Sequence, residues 1–249
     1  MHRKLLIGAL AASATLALTA GAAQATTTAD RTASLEATAA PSKAGTASKP
    51  KNVTLGFDLS VNRPGTSVGQ IVLDLPKGLK FSGKGLKKCT ATNLQLNGPS
   101  VCPAGSKAGT VGSAAARLEP GNTALTFNVY PFVGGDTKIL FYLVQTDPAG
   151  NEMASGIQSV LTGNITSKGR KLTISIPQEL RQPVAGLDAT LTQIRATFKG
   201  KVAKHYVVSS TTCKGGKWNI KSTLLFASRS DGATPPAAQS ITDPVKCSK

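Results

Sequence analysis

The chain has 249 residues and is strongly basic, with 29 lysines and arginines against 12 aspartates and glutamates and a formal net charge of +17. Aromatic residues make up only 4% of it, which leaves few side chains to stack on bases and argues against a single-strand nucleic-acid binder. Beyond the amino terminus no stretch approaches the roughly 18 consecutive apolar residues of a transmembrane helix, so we expect no such helix.

The first 25 residues have the pattern of a secretory signal peptide. Arg3 and Lys4 give a cationic start, residues 5–23 are apolar and rich in alanine, and residues 23–25 (AQA) supply the small side chains of a cleavage site. Export leads to an oxidising environment, where disulfides form and persist. We therefore expect a secreted protein, free in the medium or loosely associated with the cell wall, that uses no cofactor.

The next segment, residues 26–51, is almost entirely Thr, Ala, Ser, Lys, Gly and Pro, and Leu35 is its only large apolar side chain. Such a segment buries too little apolar surface to offset the entropy lost on ordering. The sequence therefore predicts a disordered leader over residues 26–51, followed by a single secreted β domain over residues 52–249.

Short alternating segments dominate this domain. Apolar residues occupy every second position of residues 53–61, which is the period of a strand with one buried face. Residues 125–129 and 172–176 repeat the pattern, and residues 139–144 form a continuous apolar run typical of a strand covered on both faces. The pattern predicts an all-β fold with little helix, either an antiparallel β-sandwich or, alternatively, a flattened β-barrel.

The four cysteines form an even set, for which three pairings are possible. Loop closure favours sequence neighbours, so we predict the disulfides Cys89–Cys102 and Cys213–Cys247, each stabilising the fold by about 2–4 kcal/mol. A zinc site would need Cys-x-x-Cys pairs, which the sequence lacks, and only His205 would be available as a histidine ligand after signal cleavage. We predict no metal site.

A glycine pair near the carboxyl terminus separates two strand-like segments. Residues 206–213 run into the sequence KGGK at residues 214–217, after which apolar residues keep even spacing from Trp218 onward. Two adjacent glycines suit a tight turn whose residues have positive φ. The sequence therefore predicts a β-hairpin here.

Several motifs of this domain have a family resemblance. They are LPKGLKF at residues 75–81, Cys89, CPAGSKAGT at residues 102–110, TCKGGKW at residues 212–218, and Cys247. Together they resemble a family of secreted, β-rich proteins of high-GC Gram-positive bacteria, over about residues 52 to 249. The resemblance implies a β fold and pairing of neighbouring cysteines. It implies no activity, because none is established for the family.

One motif suggests an enzyme. Residues 65–69 (GTSVG) match the Gly-x-Ser-x-Gly pattern of hydrolase nucleophiles, and His205 follows later as a candidate base. That motif requires a helix after the serine, whereas residues 70–73 have the pattern of a strand. We therefore predict no catalytic residue, and a secreted serine hydrolase using Ser67 and His205 is the alternative function.

Lysines occur in two groups, one around the first cysteine pair and one around the KGGK turn. From these groups we select the following candidate anion-binding residues: Lys84, Lys87, Lys88, Lys214, Lys217 and Lys221. A positive field attracts anionic partners, although a large net charge also serves solubility. The sequence predicts a non-enzymatic extracellular or cell-envelope protein, binding or structural, whose cationic surface contacts anionic wall polymers or lipid headgroups and no specific nucleic acid.

Overall fold

The computed structural model describes residues 33–249. These residues form short strands, two short α-helices and three 3₁₀ turns. The strands are β1 (Ala33–Ala40), β2 (Lys51–Asn52), β3 (Thr54–Val61), β4 (Ser67–Asp74), β5 (Leu79–Phe81), β6 (Gly109–Glu119), β7 (Thr123–Gly135), β8 (Lys138–Thr146), β9 (Gln158–Thr166), β10 (Lys171–Ser175), β11 (Asp188–Phe198), β12 (Lys201–Val202), β13 (His205–Tyr206), β14 (Val208–Ser210), β15 (Lys217–Ala227) and β16 (Gln239–Lys246). The helices are α1 (Ala91–Asn97) and α2 (Gln178–Arg181), and the 3₁₀ turns are Pro99–Val101, Ala104–Ser106 and Ser167–Gly169. In the described part of the chain no helix is both long and apolar enough to span a membrane.

Eleven strands form one antiparallel sheet in the order β1-β3-β11-β6-β7-β8-β9-β10-β4-β15-β16. The sheet curls so that its two outer strands, β1 and β16, become neighbours, which gives a nearly closed barrel with one seam. The predicted all-β fold is confirmed. The single rolled sheet corresponds to the flattened-barrel alternative rather than to two separate sheets.

The seam joins β1 to β16, which run parallel because eleven alternating strands give the first and last the same direction. Beyond the two strands, the Ala44 amide donates to the Ser248 carbonyl (2.8 Å) and the Ser248 amide donates to the Ser42 carbonyl (3.0 Å). Within the strands, the Ala37 amide donates to a carboxylate oxygen of Asp243 at 2.7 Å. A side chain therefore takes the place of a ladder hydrogen bond along the seam.

The two ends of the barrel differ. We call the end at which β4 stops and β15 starts the lower end, and the end at which β4 starts and β15 stops the upper end. A small sheet in the order β2-β14-β5 covers the lower end. Inside this half, the rings of Phe57, Phe81 and Phe141 pack around that of Phe198, with centroid distances of 6.0, 5.1 and 6.0 Å. Large aromatic side chains therefore fill the lower half of the interior.

Residues 139–144, predicted to form a strand covered on both faces, belong to β8. That prediction is confirmed. The inner residues of β8 face the barrel core, and its outer residues Leu140, Tyr142 and Val144 pack beneath Leu94 of α1 and the disulfide between positions 89 and 102. The segment that contains this disulfide also forms the two-turn helix α1. Thr90 caps this helix, because its hydroxyl accepts the amide hydrogen of Asn93.

The predicted disordered leader is wrong for the part that the structure describes. Residues 33–40 form β1, which pairs along its whole length with β3, and Leu35 is only 7% exposed. Composition failed here because an edge strand obtains its hydrogen bonds from the neighbouring strand and needs few large side chains of its own. The ordered domain therefore begins before residue 52. The predicted signal peptide, residues 1–25, and leader residues 26–32 lie outside the described residues.

Both predicted disulfides are confirmed. Cys89 and Cys102 are bonded with their Cα atoms 5.2 Å apart, and Cys213 and Cys247 are bonded with their Cα atoms 5.9 Å apart. The second bond joins the start of β15 to the end of β16 at the lower end of the barrel.

The predicted carboxyl-terminal hairpin is wrong. Gly215 and Gly216 do have positive φ, at 69° and 72°, but the flanking strands do not pair with each other. β14 pairs with β2 and β5, whereas β15 pairs with β4 and β16. The glycine turn carries the chain from the small covering sheet into the barrel wall, where the indole nitrogen of Trp218 donates to the Thr212 carbonyl at 2.9 Å.

Candidate anion-binding site

Strand direction decides which charged residues share an end of the barrel. β1, β4, β7, β9, β11 and β16 stop at the lower end, and β3, β6, β8, β10 and β15 start there. In the described chain, every lysine lies in the lower half, either near these strand ends or in the segments that connect them. We call this set the lysine surface: Lys43, Lys49, Lys51, Lys77, Lys80, Lys84, Lys87, Lys88, Lys107, Lys138, Lys168, Lys171, Lys199, Lys201, Lys204, Lys214, Lys217, Lys221, Lys246 and Lys249.

The six lysines selected from the sequence belong to this surface, and all six side chains are exposed. Lys84, Lys87 and Lys88 lie in the segment after β5, Lys214 lies in the turn before β15, and Lys217 is the first residue of β15. Lys221 lies further along β15, opposite Asp74, the last residue of β4. The fold thus brings two groups that are distant in sequence to the same end of the barrel.

Few carboxylates interrupt the lysine surface. Within the described residues, the lower half contains the side-chain carboxylates of Asp74, Asp136 and Asp243, and Glu36 and Asp58 lie near mid-barrel beside Arg195. Lys171 Nζ lies 3.3 Å from Asp74 Oδ1, and Lys88 Nζ lies 2.7 Å from Asp136 Oδ1. The hydrogen bond and charge of Lys88, with the nearby charge of Lys84, hold the pKa of Asp136 below its ordinary value. Lysines thus pair with Asp74 and Asp136, and the remaining lysines leave a large excess of positive charge.

The upper end has a different balance of charges. Its cations are all arginines, and its carboxylates outnumber them in the described residues: Arg63, Arg117, Arg181 and Arg229 against Glu119, Asp147, Glu152, Glu179, Asp188 and Asp231. Arg170 lies with the lysines at the lower end, and Arg195 lies near mid-barrel, where its Nε is 2.6 Å from a carboxylate oxygen of Asp58. The net positive charge of the described chain is therefore concentrated at one end of the barrel axis.

Several upper-end charges neutralise one another in a buried network. Arg229, whose side chain is 10% exposed, lies 2.9 Å from a carboxylate oxygen of Glu119 and 3.7 Å from one of Asp188. Burial by itself raises the pKa of Asp188, but hydrogen bonds from Ser230 and Gln182 and the charge of Arg229 outweigh this effect and hold that pKa below its ordinary value. These groups serve the fold of the upper end, and they contribute little to an external field because their charges are paired.

The serine and histidine of the hydrolase alternative are not in contact. Ser67 is the first residue of β4 and is 1% exposed, and its hydroxyl has no hydrogen-bond partner. A strand, not a helix, follows it, so the strand–turn–helix geometry of a nucleophile elbow is absent at this residue. His205 lies in β13, and its ring contacts Gly85 at the lower end. This arrangement supplies no base to Ser67.

Sequence reasoning missed much of the lysine surface. Lys43, Lys138 and Lys168 are far in sequence from both lysine groups, yet they lie at the same end of the barrel. A signal was present, because these lysines fall at the ends of strands that start or stop at the lower end. Interpreting it required the strand order, which the sequence pattern does not provide.

No family model, curated protein or solved structure matches the chain. The functional argument therefore depends on the charge distribution and geometry of this molecule.

Proposed function

We propose that this protein is a secreted, non-enzymatic module that binds extended anionic polymers of the cell envelope through its lysine surface. The observation that carries the proposal is the segregation of charge, with every described lysine in the lower half of the barrel. Solubility depends on the net charge and not on its position, so a charge that served only solubility would not need to lie at one end. A one-sided positive field instead attracts and orients an anionic partner.

The form of the surface favours a polymer over a small anion. Its lysines are mostly exposed and spread over the whole lower end, on the covering sheet, the segment after β5 and the turn before β15. The ammonium group is a compact, strongly hydrated charge on a flexible stem, so such a set makes many interchangeable contacts rather than one rigid site. An extended polyphosphate or polycarboxylate chain meets many of them at once.

The experiment is sedimentation of the purified protein with purified Gram-positive cell walls over a range of salt concentrations. We expect the triple variant Lys214→Glu, Lys217→Glu and Lys221→Glu to bind about tenfold or more weakly than wild type, because several charge contacts change sign. We also expect wild-type binding to fall steadily with rising salt, since counterion release drives such contacts. Walls stripped of their phosphate polymers should bind less protein.

Two control variants separate charge from structure. The triple variant with arginine at the same three positions keeps the charge and should bind like wild type. Arg117→Glu reverses one exposed charge at the upper end and should also bind like wild type, whereas the matched single variant Lys217→Glu at the lower end should bind more weakly. Binding that does not change with salt, or an equal loss in Arg117→Glu, would contradict the proposal. Labelling of Ser67 by a fluorophosphonate probe would contradict its non-enzymatic part.

A further inference from the structure

The upper half of the barrel interior contains an apolar cavity of about 60 Å³. Its wall includes the small side chains of Ala114 and Ala116 of β6 and Ala189 of β11, whereas the lower half is filled by large aromatic rings such as that of Phe198, further along β11. A wall of eleven strands encloses more space than an eight-stranded barrel, whose interior is just filled by side chains. The small residues therefore leave open a space that larger side chains would close, and unfilled apolar space is destabilising in proportion to its volume.

The mouth of this cavity is also apolar. Ile157, Ile176, Leu180 and Leu191 line it and are each only partly buried. Leu180 belongs to α2, a single helical turn that follows β10. A partly exposed apolar rim continuous with an apolar interior fits a ligand whose tail enters the barrel and whose remainder lies across the rim.

Arg181, at the end of α2, is the only charged residue among the described residues that line the cavity. Its Nε donates to the Ile176 carbonyl (3.2 Å) and a terminal guanidinium nitrogen donates to the Ser228 carbonyl (3.2 Å). The ion pairs among the described residues do not include Arg181. Backbone carbonyls thus hold its side chain, and no carboxylate neutralises its charge.

We propose that the upper end binds a single-chain anionic amphiphile, with the end of its alkyl chain in the cavity and its anionic head at Arg181. The volume fits this class, because a cavity of about 150 Å³ holds one benzene and the smaller space here suits only the terminal carbons of a chain. The head can be a carboxylate or a phosphate monoester, since a guanidinium binds both. This site lies at the opposite end from the lysine surface and does not depend on the proposed function.

The experiment is a titration of methyl-labelled full-length mature protein with octanoate, followed by NMR. We expect saturable shifts of the methyl groups of Ala114, Ile157 and Leu180. Acetate, which has the head without the chain, should leave them unchanged, and octyl glucoside, which has the chain without the charge, should bind about tenfold more weakly. Octyl phosphate, compared with octanoate, shows which of the two heads is preferred.

Variants test each part of the site. Ala114→Leu fills the cavity and should abolish the octanoate shifts at Ile157 and Leu180, while Ala124→Leu, on an exposed position of the adjacent β7, should not. If Ala114→Leu does not fold, Ala116→Val replaces it. Arg181→Gln should weaken octanoate binding about tenfold and leave octyl glucoside binding unchanged.

Three results would overturn the inference. The first is the absence of octanoate shifts at the cavity methyl groups in wild type. The second is shifts that acetate reproduces, which would show attraction by charge alone. The third is equal binding of octanoate to wild type and to the folded cavity-filling variant.

Discussion

Asp188 is a buried carboxylate that joins separate segments at the upper end. The Ser230 hydroxyl donates to it at 2.6 Å, the Gln182 side-chain amide donates to it at 3.1 Å, and Arg229 lies 3.7 Å away. The residue is 2% exposed, so water cannot replace these partners if one is lost. Its charge therefore holds the chain after β15 against the start of β11.

Replacing this carboxylate should destabilise the fold at neutral pH. We expect Asp188→Asn to lower the free energy of unfolding by about 1–3 kcal/mol, because it removes the charged acceptor of the Ser230 hydroxyl and one of the carboxylates around the buried Arg229. The folded-state pKa of Asp188 is lowered, so its stabilising effect is fully present above the ordinary aspartate pKa and is lost as pH falls through the folded-state value. The difference between wild type and variant, measured by urea denaturation, should therefore shrink in acid.

Asp231 provides the matched control, because it pairs with the same arginine at 3.3 Å but its side chain is 55% exposed. Asp231→Asn should change stability by less than about 1 kcal/mol, as is usual for exposed ion pairs. Equal losses in the two variants would show that burial of Asp188 is not the source of its effect.

β1 is the element whose presence most changes the description of this chain. It covers one edge of β3 and brings the chain to the seam with β16, where the Ala37 amide meets Asp243. Its inner face contributes Ala33 and Leu35 to the core. The segment before residue 52 is therefore part of the barrel wall and not a spacer.

A substitution in β1 tests this directly. We expect Leu35→Ala to lower the free energy of unfolding by about 2–3 kcal/mol, because a buried leucine is lost from the core. Ser34→Ala, on the exposed face of the same strand, should have an effect within about 0.5 kcal/mol. Chemical denaturation of both variants measures the two effects, and equal stability of Leu35→Ala and wild type would mean that the segment does not pack on the barrel.

At the scale of the whole molecule, charge is distributed along the barrel axis. The lower end carries the lysine surface, and the upper end carries arginines whose charges carboxylates largely balance. Such an arrangement orients the molecule in the field of a polyanion before contact, and the effect weakens once the Debye length falls to about 10 Å at 0.1 M salt. The lower end should therefore face the bound polymer.

Arginine modification can report this orientation, because Arg170 is exposed and is the one arginine at the lower end. We expect bound polyphosphate to protect Arg170 from phenylglyoxal, while exposed Arg117 at the upper end continues to react. Mass spectrometry of the modified peptides, with and without polymer, measures the protection. Equal protection of both arginines would indicate binding without a preferred end, and protection of Arg117 alone would indicate the opposite end.

The sequence alone determined the local features, because they follow from short-range patterns. Period-two spacing gave the strands, a continuous apolar run identified β8 as covered on both faces, and loop closure gave both disulfides. The glycine pair at 215 and 216 gave a turn with positive φ but not the partners of its strands. Strand pairing, unlike strand formation, depends on residues distant along the chain.

Only the tertiary structure decided where these elements meet. Pairing with β3 makes a strand of residues 33–40, whose own composition predicts disorder. Strand direction gathers lysines from Lys43 to Lys249 at one end, although the sequence shows only two local groups. Strand order also leaves the small side chains of Ala114 and Ala189 facing one interior space. In each case the physical reason is the same. Hydrogen-bond partners, electric fields and cavities depend on residues that are close in space, whereas a sequence pattern shows only which residues are close along the chain.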